Sequence, residues 1–88
     1  MSKSKFIKII STKRFKNKMI FEGVKIRISS IIFQQRKKLK ISQSSLAKRA
    51  KTTQRIISKI ENSDYKIGLE LLVKILIVLK IKELKINI

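Results

Sequence analysis

The chain has 88 residues, of which 43% are hydrophobic, so it can build one small core but not two. Its 23 Lys and Arg against five Asp and Glu give a net charge of +18, which predicts a polyanionic partner, most commonly nucleic acid and otherwise a membrane surface or an acidic protein. The chain lacks Cys and His, which excludes disulfides and thiolate metal sites and removes the usual general base, so we expect no enzyme, metal or cofactor.

The low content of Gly and Pro indicates the fold class, and the shortness of the apolar runs indicates where in the cell the protein is found. With no Pro and only two Gly, the chain has few residues suited to tight turns, which favours a mainly α protein over a small β-barrel. The longest apolar run, 71–79, contains Lys74 and is half the length that a bilayer requires. No short apolar stretch near the start is followed by a cleavage site, so we expect a cytoplasmic protein.

Residues 1–22 form the first predicted segment, a basic N-terminal arm that ends at a break at Glu22-Gly23. Its first 19 residues hold seven Lys and Arg and no acid, with apolar patches at 6–10 and 19–21. Three interpretations are open for this arm. It is a disordered tail, an extension that follows the minor groove or the phosphates, or a strand that docks on a dimer or another protein.

Residues 23–80 form the second predicted segment, a helical domain. Apolar spacing predicts helices over about 25–39, 43–50, 54–61 and 68–79. Ser42 and Thr53 have the side chains that cap the second and third helices. The last helix is apolar almost all round, which predicts burial on more than one side and therefore a dimer interface as well as a core.

Residues 81–88 form the third predicted segment. Leu84, Ile86 and Ile88 alternate with polar residues, which predicts a strand over about 82–87. Because a lone strand is unstable, its simplest partner is the same strand of a second copy.

Residues 42–62 have the pattern of a helix-turn-helix, since two short capped helices lie three residues apart. Ala47 is small where the helices cross. The apolar residues predicted to fill the angle between the helices are Leu46, Ala50, Ile57 and Ile60. The polar residues left on the outer face are Gln54, Arg55, Ser58 and Lys59.

Nine positions in this segment resemble the pattern of the Cro-like (XRE) repressor family: Ser42, Gln43, Leu46, Ala47, Thr53, Ile57, Ile60, Glu61 and Asn62. The resemblance covers about residues 28–80 and implies a lambda-repressor-like helix-turn-helix bundle. Lys40, Lys51 and Ser63 stand where the family has Gly, so these residues are expected at positions that favour positive φ, at a cost on the order of 1 kcal/mol each.

A narrower resemblance, to HipB-type antitoxins, is carried by 58–62, Leu69, 74–76, Leu79 and the terminal strand. It implies a homodimer that binds operator DNA and a HipA-type kinase toxin. A phage or plasmid regulator without a toxin partner is the main alternative. A small RNA-binding protein is a further one, although the chain has no paired aromatic residues on a strand to stack bases.

Groove geometry assigns roles to the polar residues of the motif, with the helix at 54–61 entering the major groove by its first turn. The residues predicted to contact bases are Thr53, Gln54, Arg55 and Ser58. Those predicted to contact phosphates are Gln43, Lys48, Lys51, Thr52 and Lys59. Glu61 is predicted to be structural, in an ion pair or a cap, and the lysines at 37–40 to be a solvated face.

Overall fold

A computed structural model describes residues 14–85, which contain four α-helices: α1 (Arg14–Lys38), α2 (Gln43–Arg49), α3 (Gln54–Glu61) and α4 (Leu69–Val78). Helices α2 and α3 pack against each other, α1 packs on α3, and α4 packs on α2. The mainly α fold and the last three predicted helices are confirmed, each to within a residue or so at its ends.

One core lies between the four helices. Five of its members are the residues predicted to face inward in the helix-turn-helix, and all five are buried. Ile32 of α1 and Ile75 and Leu79 at the end of α4 complete it, and each of these three is fully buried. The amide nitrogen of Gln35 also donates to the carbonyl oxygen of Leu79 at 3.0 Å, which links α1 to the end of α4.

The two predicted caps are confirmed. The Ser42 hydroxyl accepts a hydrogen bond from the Ser45 N–H at 3.0 Å, and the Thr53 hydroxyl accepts one from the Ile56 N–H at 3.2 Å. Each cap satisfies an N–H that has no partner within its own helix, which fixes where α2 and α3 begin.

Every helix between residues 14 and 85 ends in the same left-handed turn, and none of these turns uses Gly. The residues with positive φ are Lys40 (57°), Lys51 (59°), Ser63 (59°) and Lys80 (59°). At each end the next N–H reaches back five residues to a helical carbonyl, as Thr52 does to Ala47 at 2.8 Å, which is the Schellman motif. The first three positions confirm the expectation from the family's glycines, and Lys80 adds a fourth that was not predicted.

Helix α1 is longer than predicted. The expected break at Glu22-Gly23 is wrong, because the helix runs through it without interruption from Arg14. A single Gly costs a helix only about 1 kcal/mol, and the i,i+3 ion pair of Glu22 with Lys25 at 3.2 Å supports the same turn. Residues 14–22 therefore continue α1, and the rest of the predicted arm lies outside the described residues.

Helix α4 has two apolar faces. Ile75 is buried in the core, whereas Leu69, Val73 and Ile77 lie on the outside, with 76%, 44% and 70% of their surfaces exposed. These three, spaced four residues apart, form a continuous ridge that we call the α4 stripe. Neither α4 nor another helix in residues 14–85 has the length and apolarity needed to cross a membrane.

The predicted C-terminal strand is not seen in the part of the chain that the structure describes. Residues 81–85 have no regular secondary structure, and 86–88 lie outside the described residues. A strand whose partner is the same strand of a second copy has no ladder to form in a single chain. The strand at 82–87 therefore stays a prediction.

Candidate nucleic-acid interface

Helix α3 separates its apolar and polar residues onto opposite sides. Ile57 and Ile60 are buried on the inner side, where α3 packs on α1 and α2. Gln54 and Arg55, in the first turn, are exposed, while Ser58 is partly buried. The first turn of α3 thus presents two long hydrogen-bonding side chains to solvent, as the sequence predicted.

Thr53 is exposed immediately before these two residues. Its hydroxyl oxygen accepts the cap hydrogen bond from Ile56, which leaves the hydroxyl proton free to be donated elsewhere. The structure therefore gives Thr53 a local structural role, and its contact with a base stays a prediction.

The predicted phosphate contacts are spread over α2, the turn and α3. Lys48 on α2 and Lys51 in the turn are exposed, and Thr52 and Lys59 are partly buried. Lys51 has positive φ because it follows the last turn of α2. The exposure of Lys48 and Lys51 agrees with a contact to an extended backbone, and all four contacts stay predictions.

Gln43, at the start of α2, belongs to a buried hydrogen-bond network. Its amide nitrogen donates to Oε1 of Glu61 at 3.0 Å, and the same carboxylate accepts from Nε and Nη2 of Arg36 at 2.6 and 2.9 Å. Nη1 of Arg36 donates to the carbonyl oxygen of Ile41 at 2.8 Å. The prediction that Glu61 is structural, in an ion pair, is confirmed.

The Arg36–Glu61 pair is electrostatically strong. The side chains are only 9% and 4% exposed, so water screens them weakly. The hydrogen bond to Glu61 raises the pKa of the Arg36 guanidinium, against the opposing effect of burial. Arg36 therefore stays charged, and Glu61 neutralises it.

An open cleft of about 570 Å³ brings together the ends of three helices. It lies between the last turn of α1 and the first residues of α2 and α3. Its lining consists of Arg36, Lys37, Lys40, Ile41, Ser42, Gln43, Ser44 and Gln54. We call it the α1–α2 cleft. It places Gln43, predicted to bind phosphate, and Gln54, predicted to read a base, on one concave surface, whereas the other predicted site residues lie outside it.

Three residues of this surface were not predicted from the sequence: Arg36, Lys37 and Lys40. One signal for Arg36 was available, since it lies one helical turn after Ile32 and so falls on the buried face of α1. An Arg on a buried face requires an acidic partner, and the chain has only five acids. For Lys37 and Lys40 the run of cations at 37–40 gave no such signal, because it also fits a solvated helix end.

Comparison with known proteins gives one match. A family model described as Helix-turn-helix matches residues 32–86, which is more than half of the chain and includes the eight buried residues of the described core, from Ile32 to Leu79. Searches of curated proteins and of solved structures find no match.

Proposed function

Since the chain belongs to the XRE-type helix-turn-helix family, a family of DNA-binding regulators, we propose that it is a transcriptional repressor that binds palindromic operator DNA as a homodimer. The observation that carries the proposal is the exposed first turn of α3, where Gln54 lines the α1–α2 cleft and Arg55 is exposed next to it in the chain. The net charge of +18 supports a polyanionic ligand.

In the proposed complex α3 enters the major groove by its first turn. The Gln54 amide both donates and accepts, which matches N6 and N7 of adenine, and the Arg55 guanidinium matches O6 and N7 of guanine. Each such pair typically supplies ~1–3 kcal/mol of discrimination. The Thr53 hydroxyl, just before the helix, and Ser58, one turn after Gln54, offer further contacts in this proposal.

Sequence-independent affinity comes from the phosphate contacts in this proposal. Lys48, Lys51 and Lys59 supply charge, and Gln43 and Thr52 supply hydrogen bonds. Because Glu61 holds one N–H of the Gln43 amide, the second N–H and the oxygen are the atoms left for DNA or its water.

The homodimer is supported by the α4 stripe. Leu69, Val73 and Ile77 expose a ridge of large apolar side chains, which water disfavours and a second copy of the same ridge would cover. The predicted strand at 82–87 follows α4 directly and would extend the same interface. Two half-sites roughly 34 Å apart are the expected operator spacing.

The finer proposal is that this repressor is the antitoxin of a HipA-type toxin. It rests on the resemblance of residues 58–79 to HipB-type proteins. Met19, Phe21 and Ile26 of α1 are exposed outside the α4 stripe and offer apolar surface for a partner protein. Co-purification of a kinase-like toxin with the tagged chain from its native cells would support this role, whereas operator binding without such a partner would favour a phage or plasmid regulator.

Selection of bound sites from random duplexes tests the proposed function. We expect a palindromic consensus with half-sites roughly one helical turn apart. Enrichment of RNA over duplex DNA in a parallel selection would instead support the RNA-binding alternative, and binding without any consensus would overturn sequence-specific repression.

A further inference from the structure

We propose that the α1–α2 cleft is a binding site for one phosphodiester of the DNA backbone, with Lys37 and Lys40 as its cationic ligands. The inference rests on the proposed function and adds a site to it, since these lysines lie on the helix before the helix-turn-helix and in the turn that follows. It also replaces the sequence-based interpretation of residues 37–40 as a solvated face.

The cleft has free positive charge. Arg36 lines it, but Glu61 neutralises the guanidinium, and three of its five N–H groups donate to Glu61 and the Ile41 carbonyl. Lys37 and Lys40 are exposed, and neither forms an ion pair with another residue between 14 and 85. The charge available to an anion in the cleft therefore belongs to these two lysines.

The backbone of Lys40 and the side chain of Lys37 each have a local contact that restricts them. Lys40 is the left-handed residue that ends α1, and its N–H is bonded to the carbonyl oxygen of Lys37 at 3.0 Å. The Lys37 ammonium lies 6.0 Å from the centre of the Phe33 ring, within the range of a cation–π contact. The contact with Phe33 restricts the Lys37 side chain, which lowers its loss of freedom on binding an anion.

The position of the cleft matches the path of a DNA strand. Gln54 forms part of its wall and is the first residue of α3, which the proposed function places in the major groove. The major groove is about 12 Å wide, so a helix fits into it. The two sugar–phosphate backbones that border the groove then lie on either side of the helix. The backbone next to Gln54 would therefore pass over Gln43, Lys37 and Lys40.

A second depression in the same region provides a contrast. It lies on another side of α1 and is lined by Ile31, Gln34, Gln35, Lys38, Lys80, Ile81, Lys82 and Glu83. Like the α1–α2 cleft it contains one lysine from the end of α1 and one left-handed lysine, Lys80. It also contains Lys82 and the carboxylate of Glu83, whose charges offset each other, so the two depressions carry the same net charge. It differs in that it contains none of the predicted DNA-binding residues.

These two depressions define a matched test. The double variant Lys37→Ala/Lys40→Gly removes the charge from the α1–α2 cleft, and Lys38→Ala/Lys80→Gly makes the same chemical changes in the other depression. Glycine suits the left-handed backbone, so we expect both full-length variants to fold, as circular dichroism would show. Affinity for the selected duplex, about two turns long, is then measured at several salt concentrations.

We expect the slope of log affinity against log salt to become shallower by about 1.8 in the first variant, which is the value for two phosphates, one at each protomer of the bound dimer. Its loss of affinity relative to wild type then shrinks about 12-fold between about 50 and 200 mM salt. The Lys38/Lys80 variant keeps the wild-type slope. An unchanged slope in the first variant, or an equal loss of affinity in both variants, overturns the phosphate site but does not contradict the proposed function. Failure of the wild type to bind duplex DNA overturns both.

Discussion

Arg36 and Glu61 join the last turn of α1 to the last residue of α3. Two nitrogens of the guanidinium donate to the two carboxylate oxygens at 2.6 and 2.9 Å, and both side chains are almost completely buried. The same carboxylate accepts from Gln43 at the start of α2. One ion pair therefore fixes the relative positions of three helices that meet at the proposed DNA surface.

Removing one partner of this pair is expected to destabilise the fold strongly. Arg36→Met leaves the Glu61 carboxylate buried without its cation, which typically costs roughly 3–5 kcal/mol. Urea denaturation would measure the free energy of unfolding. Replacing both partners by apolar residues, in Arg36→Met/Glu61→Leu, should recover most of that loss because no buried charge remains.

The exposed pair of Glu70 with Lys74 is the control for this prediction. Their charged atoms lie 3.6 Å apart, and the side chains are 87% and 43% exposed. Lys74→Met should therefore change the free energy of unfolding by less than about 1 kcal/mol. An equally small effect of Arg36→Met would contradict the importance given to the buried pair.

Glycine at a left-handed position should stabilise the chain. Ser63 has φ 59° and lies outside the predicted site, so Ser63→Gly relieves strain of about 1 kcal/mol with no loss of a DNA contact. Ser30→Gly, inside α1, should instead destabilise by about 0.5 kcal/mol because Gly is a poor helix residue. Thermal and urea unfolding of the two variants would check the opposite signs, and a loss of stability in Ser63→Gly would be inconsistent with the observed turn.

Arg55 should determine specificity at one base pair of each half-site. Arg55→Ala is expected to lower affinity for the selected duplex by ~1–3 kcal/mol and to make the four base pairs at that position equivalent. Arg49→Ala removes the same charge from an exposed position on α2 and should leave base preference unchanged. Competition with duplexes altered at single positions would measure both, and an unchanged preference in Arg55→Ala would refute the assigned role.

The α4 stripe should hold the dimer together. Ile77 is 70% exposed in the single chain, and Ile77→Lys would place a charge in the proposed interface and convert the protein to a monomer. Ile26→Lys, on α1 at a side chain that is 56% exposed, should leave the dimer intact. Sedimentation equilibrium distinguishes the two, and a monomeric wild-type protein would rule out the α4 interface.

The helix-turn-helix was predictable in detail because its signals are local. Ser42 and Thr53 mark where α2 and α3 begin through hydrogen bonds within four residues, and the apolar spacing marks which side is buried. The left-handed turns at Lys40, Lys51 and Ser63 came from positions where the resembling family has Gly.

The remaining features depend on contacts between distant parts of the chain. The partner of Glu61 lies 25 residues away on α1, so no local pattern identifies it. The cleft that contains Gln43 and Gln54 arises only when three helix ends meet. The start of α1 was not predicted, because Gly23 in the sequence indicates a break. In the structure Gly23 has open space around it, and the helix continues through it at a small cost.

The central claim is that the first turn of α3 touches base edges in the major groove. Its most direct test measures the affinity of wild type and Arg55→Ala for the selected duplex in which each guanine in turn is replaced by 7-deazaguanine, which lacks the N7 acceptor. We predict one guanine per half-site whose replacement weakens wild-type binding by roughly 1–3 kcal/mol and leaves Arg55→Ala unaffected. Equal losses in both proteins, or no loss at any guanine, would contradict the account.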